Sequence, residues 1–253
     1  MNTKTFDSAL SKVPEVTLVF WLIKIAATTL GETGGDALSM SLGLGYLLAT
    51  AIFAAAFVVA VLAQIRAAAF HAWLYWLTII ATTMVGTTLA DFADRSLGIG
   101  YTGGSALLLG LLLASLALWY RTLGTVAIES VRTPKAEAFY WATIMFSQTL
   151  GTALGDWTAD TQELGYLGAM AIFGGTLVVL AAMHFCTRVS RTALFWAAFI
   201  LSRPLGAVVG DFLDKPHEDG GLELSRFVAS AVLLAFIVVC LLVVRQRAAQ
   251  RAH

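Results

Sequence analysis

Residues 21–36 read WLIKIAATTLGETGGD, and the spacing of three residues in this stretch decides the fold: a tryptophan, a glycine ten residues later and an aspartate five residues after that. The same spacing recurs in WLTIIATTMVGTTLAD (76–91), WATIMFSQTLGTALGD (141–156) and WAAFILSRPLGAVVGD (196–211). Repetition at a fixed spacing indicates a repeat architecture. The chain is therefore four tandem units with the shared signature Trp21, Trp76, Trp141, Trp196, Gly31, Gly86, Gly151 and Gly206.

The composition places these units in a membrane. Of the 253 residues, 58% are hydrophobic and 13% are charged, and the mean hydropathy is +0.80. A helix needs about 20 residues to cross the bilayer core. The apolar runs predict an all-α membrane protein of four helical hairpins, with eight transmembrane helices near 15–34, 44–65, 71–90, 101–120, 137–155, 165–187, 192–210 and 225–245.

Basic residues orient the chain. Eleven of the 16 lie at the termini or in the connections that follow even-numbered helices, so the positive-inside rule places both termini in the cytoplasm. Every unit then starts and ends on one side, which predicts a parallel arrangement, pseudo-fourfold or two-fold between halves. The predicted organisation is a cytoplasmic segment (1–14), a first half (15–120), a cytoplasmic linker (121–137), a second half (138–245) and a cytoplasmic tail (246–253).

Four tandem two-helix units, each with a signature tryptophan, resemble the bacterial "repeat of unknown function" family of integral membrane proteins. The resemblance covers roughly residues 15–245. It implies a four-repeat, eight-helix protein of the bacterial inner membrane, and it implies no activity.

Each odd-numbered helix carries one polar stripe. Residues four apart lie on one helix face, and stepping back from the aspartates by fours gives Lys24–Thr28–Glu32–Asp36, Thr83–Thr87–Asp91, Gln148–Thr152–Asp156 and Arg203–Ala207–Asp211. Charged groups inside a membrane usually face the interior of a helix bundle. The four stripes therefore predict a shared polar cavity on a central axis, although one site per half is also compatible with the spacing.

The stripes predict a cation site. Carboxylates and neutral oxygens without a thiolate cluster suit hard ions such as Mg²⁺, Ca²⁺ or Mn²⁺. The predicted metal ligands are Asp36, Asp91, Asp156, Asp211 and Glu32, with Thr28, Thr83, Thr87, Gln148 and Thr152 as further oxygens. His217, in an acidic loop, is a weaker candidate ligand.

Two cationic residues break the symmetry of the stripes. Lys24 lies two turns from Glu32 and is a candidate counter-ion that competes with a bound cation, and Arg203 is a candidate partner for an acid. Both also fit a static role as buried structural ion pairs. The tryptophans, about 22 Å from the aspartates at 1.5 Å per residue, fit an aromatic belt at the cytoplasmic interface, and the glycines fit close helix packing.

The function that follows is transport of a cation, most simply a hard divalent metal ion, with possible proton coupling. The alternatives are a cation channel with an aspartate-ring filter, a membrane sensor and an organic-cation transporter. The sequence has no HExxH, GxSxG or P-loop motif, so we expect no enzyme and no organic cofactor. The expected partners are the lipid bilayer and a small cation, without nucleic acid and without a required oligomer; the sequence is compatible with import and with export.

Overall fold

The computed structural model describes residues 11–162 and 164–250 and contains eight α-helices in them. Each coincides with one predicted segment. The helices are α1 (Leu18–Asp36), α2 (Gly45–Arg66), α3 (Ala72–Asp91), α4 (Tyr101–Leu123), α5 (Pro134–Asp156), α6 (Gly165–Cys186), α7 (Arg191–Asp214) and α8 (Arg226–Val243). The predicted terminal segments 1–14 and 246–253 lie partly outside the described residues.

Six helices are long and apolar enough to cross a membrane, namely α2, α3, α4, α6, α7 and α8. The other two, α1 and α5, carry more polar residues: α1 contains Lys24, Glu32 and Asp36 within 19 residues. Both are largely buried among the other helices. The chain is a helical membrane protein by these features.

The four odd-numbered helices form a closed inner ring. Helix α1 packs against α3, α3 against α5, α5 against α7, and α7 against α1. Each even-numbered helix packs mainly on the first helix of the following repeat: α2 on α3, α4 on α5, α6 on α7 and α8 on α1. The two helices of one repeat therefore pack mainly on other repeats and not on each other. Because each inner helix already contacts two inner neighbours, the outer helix of its repeat lies further round the ring.

The signature glycines make the ring contacts. In every case the glycine of one inner helix lies against the stripe residue of the next: Gly31 on Thr83, Gly86 on Gln148, Gly151 on Arg203, and Gly206 on Thr28. A Cβ atom on Gly86 would lie 2.8 Å from the backbone carbonyl carbon of Gln148. These glycines therefore allow close approach of the helices, as the sequence predicts for small residues at membrane helix interfaces.

The signature tryptophans pack inside the bundle. Each contacts the aromatic residue that precedes the tryptophan of the previous repeat, with ring centroids 5.4 Å apart for Phe20–Trp76, 5.6 Å for Tyr75–Trp141, 6.2 Å for Tyr140–Trp196 and 6.1 Å for Phe195–Trp21. Trp76, Trp141 and Trp196 are at most 5% exposed. The predicted aromatic belt is therefore wrong for Trp76, Trp141 and Trp196, because aromatic partners on the neighbouring helices hold these three rings inside the bundle. Trp21 is half-buried.

The inner helices change at their aspartates. Directly after Asp36, Asp91 and Asp156, the chain makes one turn of π-helix (Ala37–Ser41, Phe92–Ser96 and Trp157–Thr161), whereas α7 continues to Asp214. Each outer helix that follows a π turn begins beside a glycine with positive φ, such as Gly100 at 77°. Glycine adopts this conformation without the steric cost that other residues meet.

Residues near the two termini lie together over the opposite end of the bundle. Backbone hydrogen bonds join Lys12 to Val131, Glu15 to Arg247, and Ala249 to Val13. The Lys12 ammonium lies 2.7 Å from Glu137 on α5 and donates to the carbonyls of Gln64 and Ile65 at the end of α2. These contacts bring 11–15, the linker and 247–249 into one layer.

We expect Gly86→Ala to lower the thermal stability of the detergent-solubilised protein. The new methyl group would meet the Gln148 backbone, which cannot rotate away, and overpacking of this kind costs about 1–3 kcal/mol. Intrinsic tryptophan fluorescence during heating measures the change.

The matched control is Gly110→Ala on α4, where a Cβ atom would meet nothing within 4 Å. This variant should be at least as stable as the parent, because alanine favours a helix over glycine by up to about 1 kcal/mol. Equal melting temperatures for both variants would contradict the close-packed ring.

Candidate functional site

The ring brings the four predicted stripes together. The residues of the four stripes are all buried, each between 0% and 4% exposed. They are Lys24, Thr28, Glu32, Asp36, Thr83, Thr87, Asp91, Gln148, Thr152, Asp156, Arg203, Ala207 and Asp211. The stripes thus converge on one axis in the described chain. Their side chains fill this axis, so the polar centre is packed where the sequence predicted a cavity.

Arg203 lies at the middle of the ring. Its Nη2 atom donates to Glu32 Oε2 on α1 at 3.0 Å, to Thr87 Oγ1 on α3 at 2.6 Å and to Thr152 Oγ1 on α5 at 2.6 Å. Its Nη1 atom donates to the Thr28 carbonyl at 3.3 Å. One guanidinium on α7 therefore joins the three other inner helices, and the predicted pairing of Arg203 with an acid is confirmed.

Three of the four predicted threonine ligands hydrogen-bond to backbone carbonyls of neighbouring inner helices. Thr28 Oγ1 lies 3.4 Å from the Ser202 carbonyl, Thr83 Oγ1 donates to Ala27 at 3.3 Å and Thr87 Oγ1 to Gly31 at 3.1 Å. These hydroxyls hold adjacent helices together in this conformation.

The four aspartates form a layer at the end of the ring where the π turns begin. Three of them lie one helical turn beyond the side chains that Arg203 contacts, Glu32, Thr87 and Thr152. This carboxylate layer, Asp36, Asp91, Asp156 and Asp211, is paired with cations from the same end of the bundle. Lys215 Nζ lies 2.7 Å from Asp36 and 3.1 Å from Asp211. Arg95 lies 3.0 Å from Asp91 and 3.8 Å from Asp156.

A fifth aspartate and a third cation complete this layer. Asp214 is buried, and Arg226 at the start of α8 donates to it at 2.9 Å and lies 3.8 Å from Asp36. Burial by itself lowers the pKa of Lys215, but Asp211, Asp36 and Asp214 raise it well above its ordinary value, so the ammonium stays charged.

Sequence reasoning missed these partners, although two of them carried a signal. Arg95 and Lys215 lie four residues after Asp91 and Asp211, so they extend the same polar stripes by one turn. The predicted stripes end at the aspartates and therefore do not include these two residues. Asp214 and Arg226 lie off that spacing and gave no such signal.

Two groups of carboxylates are close enough to share one ion. One oxygen from each member lies within 4.8 Å of the others in Glu32–Asp36–Asp91 and in Asp36–Asp211–Asp214. Asp36 belongs to both groups. His217, the predicted weaker ligand, is in neither, and its Nδ1 lies 2.8 Å from the Gly221 carbonyl.

Lys24 lies apart from the acids. Its Nζ atom has no hydrogen-bond partner among the described residues and lies 4.3 Å from the centre of the Phe199 ring. The residues at the equivalent position of the other repeats are Ile79, Ile144 and Phe199, all fully buried. The predicted pairing of Lys24 with Glu32 is therefore wrong in this conformation, because Arg203 already occupies the Glu32 carboxylate.

These features define the class of protein: a helical membrane protein built from internal repeats, with a buried carboxylate layer at one end of a ring of four helices. The chain belongs to the family described as Repeat of Unknown Function (DUF347), whose model matches residues 19–70, 74–125, 139–190 and 194–248. This confirms the resemblance inferred from the tryptophan spacing. No curated protein and no solved structure matches the chain.

We expect Arg203→Met to destabilise the fold by about 3–5 kcal/mol, because it leaves the Glu32 carboxylate buried without its cation. The measurement is thermal unfolding followed by tryptophan fluorescence.

Arg203→Met combined with Glu32→Gln is the companion variant. It removes both charges and should recover most of the lost stability, since the unpaired buried carboxylate that destabilises the single variant is no longer present. A double variant as unstable as the single one would show that the two residues do not act as a pair.

Proposed function

We propose that this protein transports a hard divalent cation across the bacterial cytoplasmic membrane, with the carboxylate layer as the binding site. The observation that supports it best is that all four repeats contribute one buried aspartate to the same layer. Carboxylate oxygens are the ligands that Mg²⁺, Ca²⁺ and Mn²⁺ prefer. The Asp36-centred groups offer three such oxygens within 4.8 Å of one another.

The charges around the layer favour exchange of a divalent ion for protons. Six buried carboxyl groups lie in the carboxylate layer or next to it: Glu32, Asp36, Asp91, Asp156, Asp211 and Asp214. Four cationic side chains pair with them: Arg95, Arg203, Lys215 and Arg226. Two negative charges remain, and either one divalent ion or two protons would neutralise them. Buried like charges favour this neutralisation.

The side chains that fill the axis of the ring favour a transporter over an open channel. Arg203 blocks the polar core, and the aromatic residues Phe20, Tyr75, Tyr140 and Phe195 fill the ring further along, each at most 5% exposed. An ion can pass only when these groups move. Arg203 and Glu32 form the inner barrier in this proposal.

The transporter would span the membrane with all eight helices, the polar α1 and α5 being shielded from lipid by their neighbours. The carboxylate layer would face the outside, and the ends with Arg66, Arg121 and Arg188 the cytoplasm, as the positive-inside rule indicates. The lipid bilayer and a small cation are the partners required. The protein would need neither a catalytic group nor an organic cofactor.

Flux into proteoliposomes tests the proposal. We expect saturable uptake of Mn²⁺, Mg²⁺ or Ca²⁺ that depends on a proton gradient. Asp156→Asn should reduce it at least about tenfold, because it removes one of the four buried carboxylates of the layer. Large flux without a gradient would instead indicate a channel. An absence of flux for all divalent ions, with flux of an organic cation, would overturn the metal assignment.

Asp160→Asn is the matched control. Asp160 lies one turn further along the chain than Asp156 and is exposed, whereas Asp156 is buried in the carboxylate layer. This variant should retain parental flux, and equal losses for both variants would place the effect of Asp156 in the general negative charge of this end.

A further inference from the structure

An apolar groove runs along the outside of the ring between α1, α6 and α7. It has a volume of about 420 Å³ and lies near the beginning of α1 and α7 and the end of α6, the end that carries the basic connections. Trp21, Ile25, Leu177, Ala181 and Phe195 are among its lining residues. It is separate from the carboxylate layer, which lies at the other end of the ring.

In the described residues, no aromatic side chain of α6 packs on a signature tryptophan, whereas α2 and α4 each supply one. On α2, Phe57 packs 6.5 Å from Trp141, and on α4, Trp119 packs 5.8 Å from Trp196. The repeat spacing places Leu177 and His184 of α6 at the positions of Phe57 and Trp119.

The tryptophan of the first repeat is the least covered of the four. Trp21 is half-buried, whereas Trp76, Trp141 and Trp196 are 1%, 2% and 5% exposed. The groove lies beside Trp21, on the outside of the ring.

A cationic group lies at the basic end of this groove. Arg191, in the first turn of α7, is one of the lining residues, and its Nη1 atom is shielded from solvent without a hydrogen-bond partner in the described chain. Arg188 lies exposed in the connection just before it. A guanidinium donates well to phosphate oxygens, because its N–H groups match their geometry.

We propose that this groove binds one anionic phospholipid, with an acyl chain along Trp21 and Leu177 and the phosphate on Arg191. The apolar lining would hold the chain, and the charge at its end selects a negatively charged headgroup. Basic pockets between membrane helices commonly recognise such headgroups. A free phosphate would leave the apolar groove unfilled, so a lipid is the occupant. The proposal does not depend on what the carboxylate layer binds.

Native mass spectrometry of the delipidated, full-length protein tests it, with dioleoyl phosphatidylglycerol and dioleoyl phosphatidylcholine as probes. We expect one phosphatidylglycerol to be retained in preference to phosphatidylcholine. Arg191→Gln should weaken this binding about fivefold, the equivalent of about 1 kcal/mol for one cationic side chain near a lipid headgroup. Arg188→Gln, which changes an exposed arginine outside the groove lining, should weaken it less.

A second variant fills the groove without touching Arg191. Leu177→Phe combined with His184→Trp introduces the side chains that α2 and α4 carry at these positions, and should abolish retention while thermal stability stays at or above the parental value. Equal retention of both lipids, unchanged binding in Arg191→Gln, or displacement by inorganic phosphate alone would overturn the proposal. Retention by the filled variant would do the same.

Discussion

The structure depends on one buried guanidinium. Arg203 comes from the fourth repeat, and its Nη2 atom binds one side chain from each of the other three inner helices, Glu32, Thr87 and Thr152. A charged group in the centre of a membrane bundle is costly unless it is paired, and Glu32 supplies the opposite charge for Arg203. The four similar repeats therefore close into one ring around an arginine that only the fourth repeat supplies. The glycines of the signature make this possible, because they let the backbones approach until a single side chain can reach all three neighbours.

The same contact divides the axis into two regions. Below Arg203, the ring is filled by Lys24 among apolar positions and then by the aromatic residues that precede the tryptophans. Beyond it, the carboxylates carry more negative charge than their paired cations balance. The asymmetry is chemical as well as geometric: one region is apolar and aromatic, and the other is lined by carboxylates. In the proposed transporter, the carboxylates are the binding region, and Arg203 with the aromatic residues is the barrier between it and the other side.

The sequence was sufficient to predict the helices, the repeat and the convergence of the stripes, because the spacing of Trp, Gly and Asp repeats four times and a helical period of 3.6 fixes the shared face. It was insufficient for the pairing of charges. Glu32 has Lys24 two turns away on its own helix, yet it pairs with Arg203 of the neighbouring helix α7. The register between the two helices decides which long side chain reaches the carboxylate. The tryptophans show the same limit: their depth follows from the rise per residue, but their burial depends on aromatic residues contributed by the neighbouring helices.

Departures from the repeat carry more information about function than the repeat itself. Identical units would give identical layers, whereas this chain has one arginine, one buried lysine and one unfilled groove at positions that are otherwise equivalent. The arginine closes the polar core and the groove opens the surface between α1, α6 and α7, on opposite sides of the same inner helices. In the proposed transporter, a shift of α7 relative to α1 would change both the Arg203–Glu32 contact and the shape of the groove, because these two inner helices form the contact and line the groove.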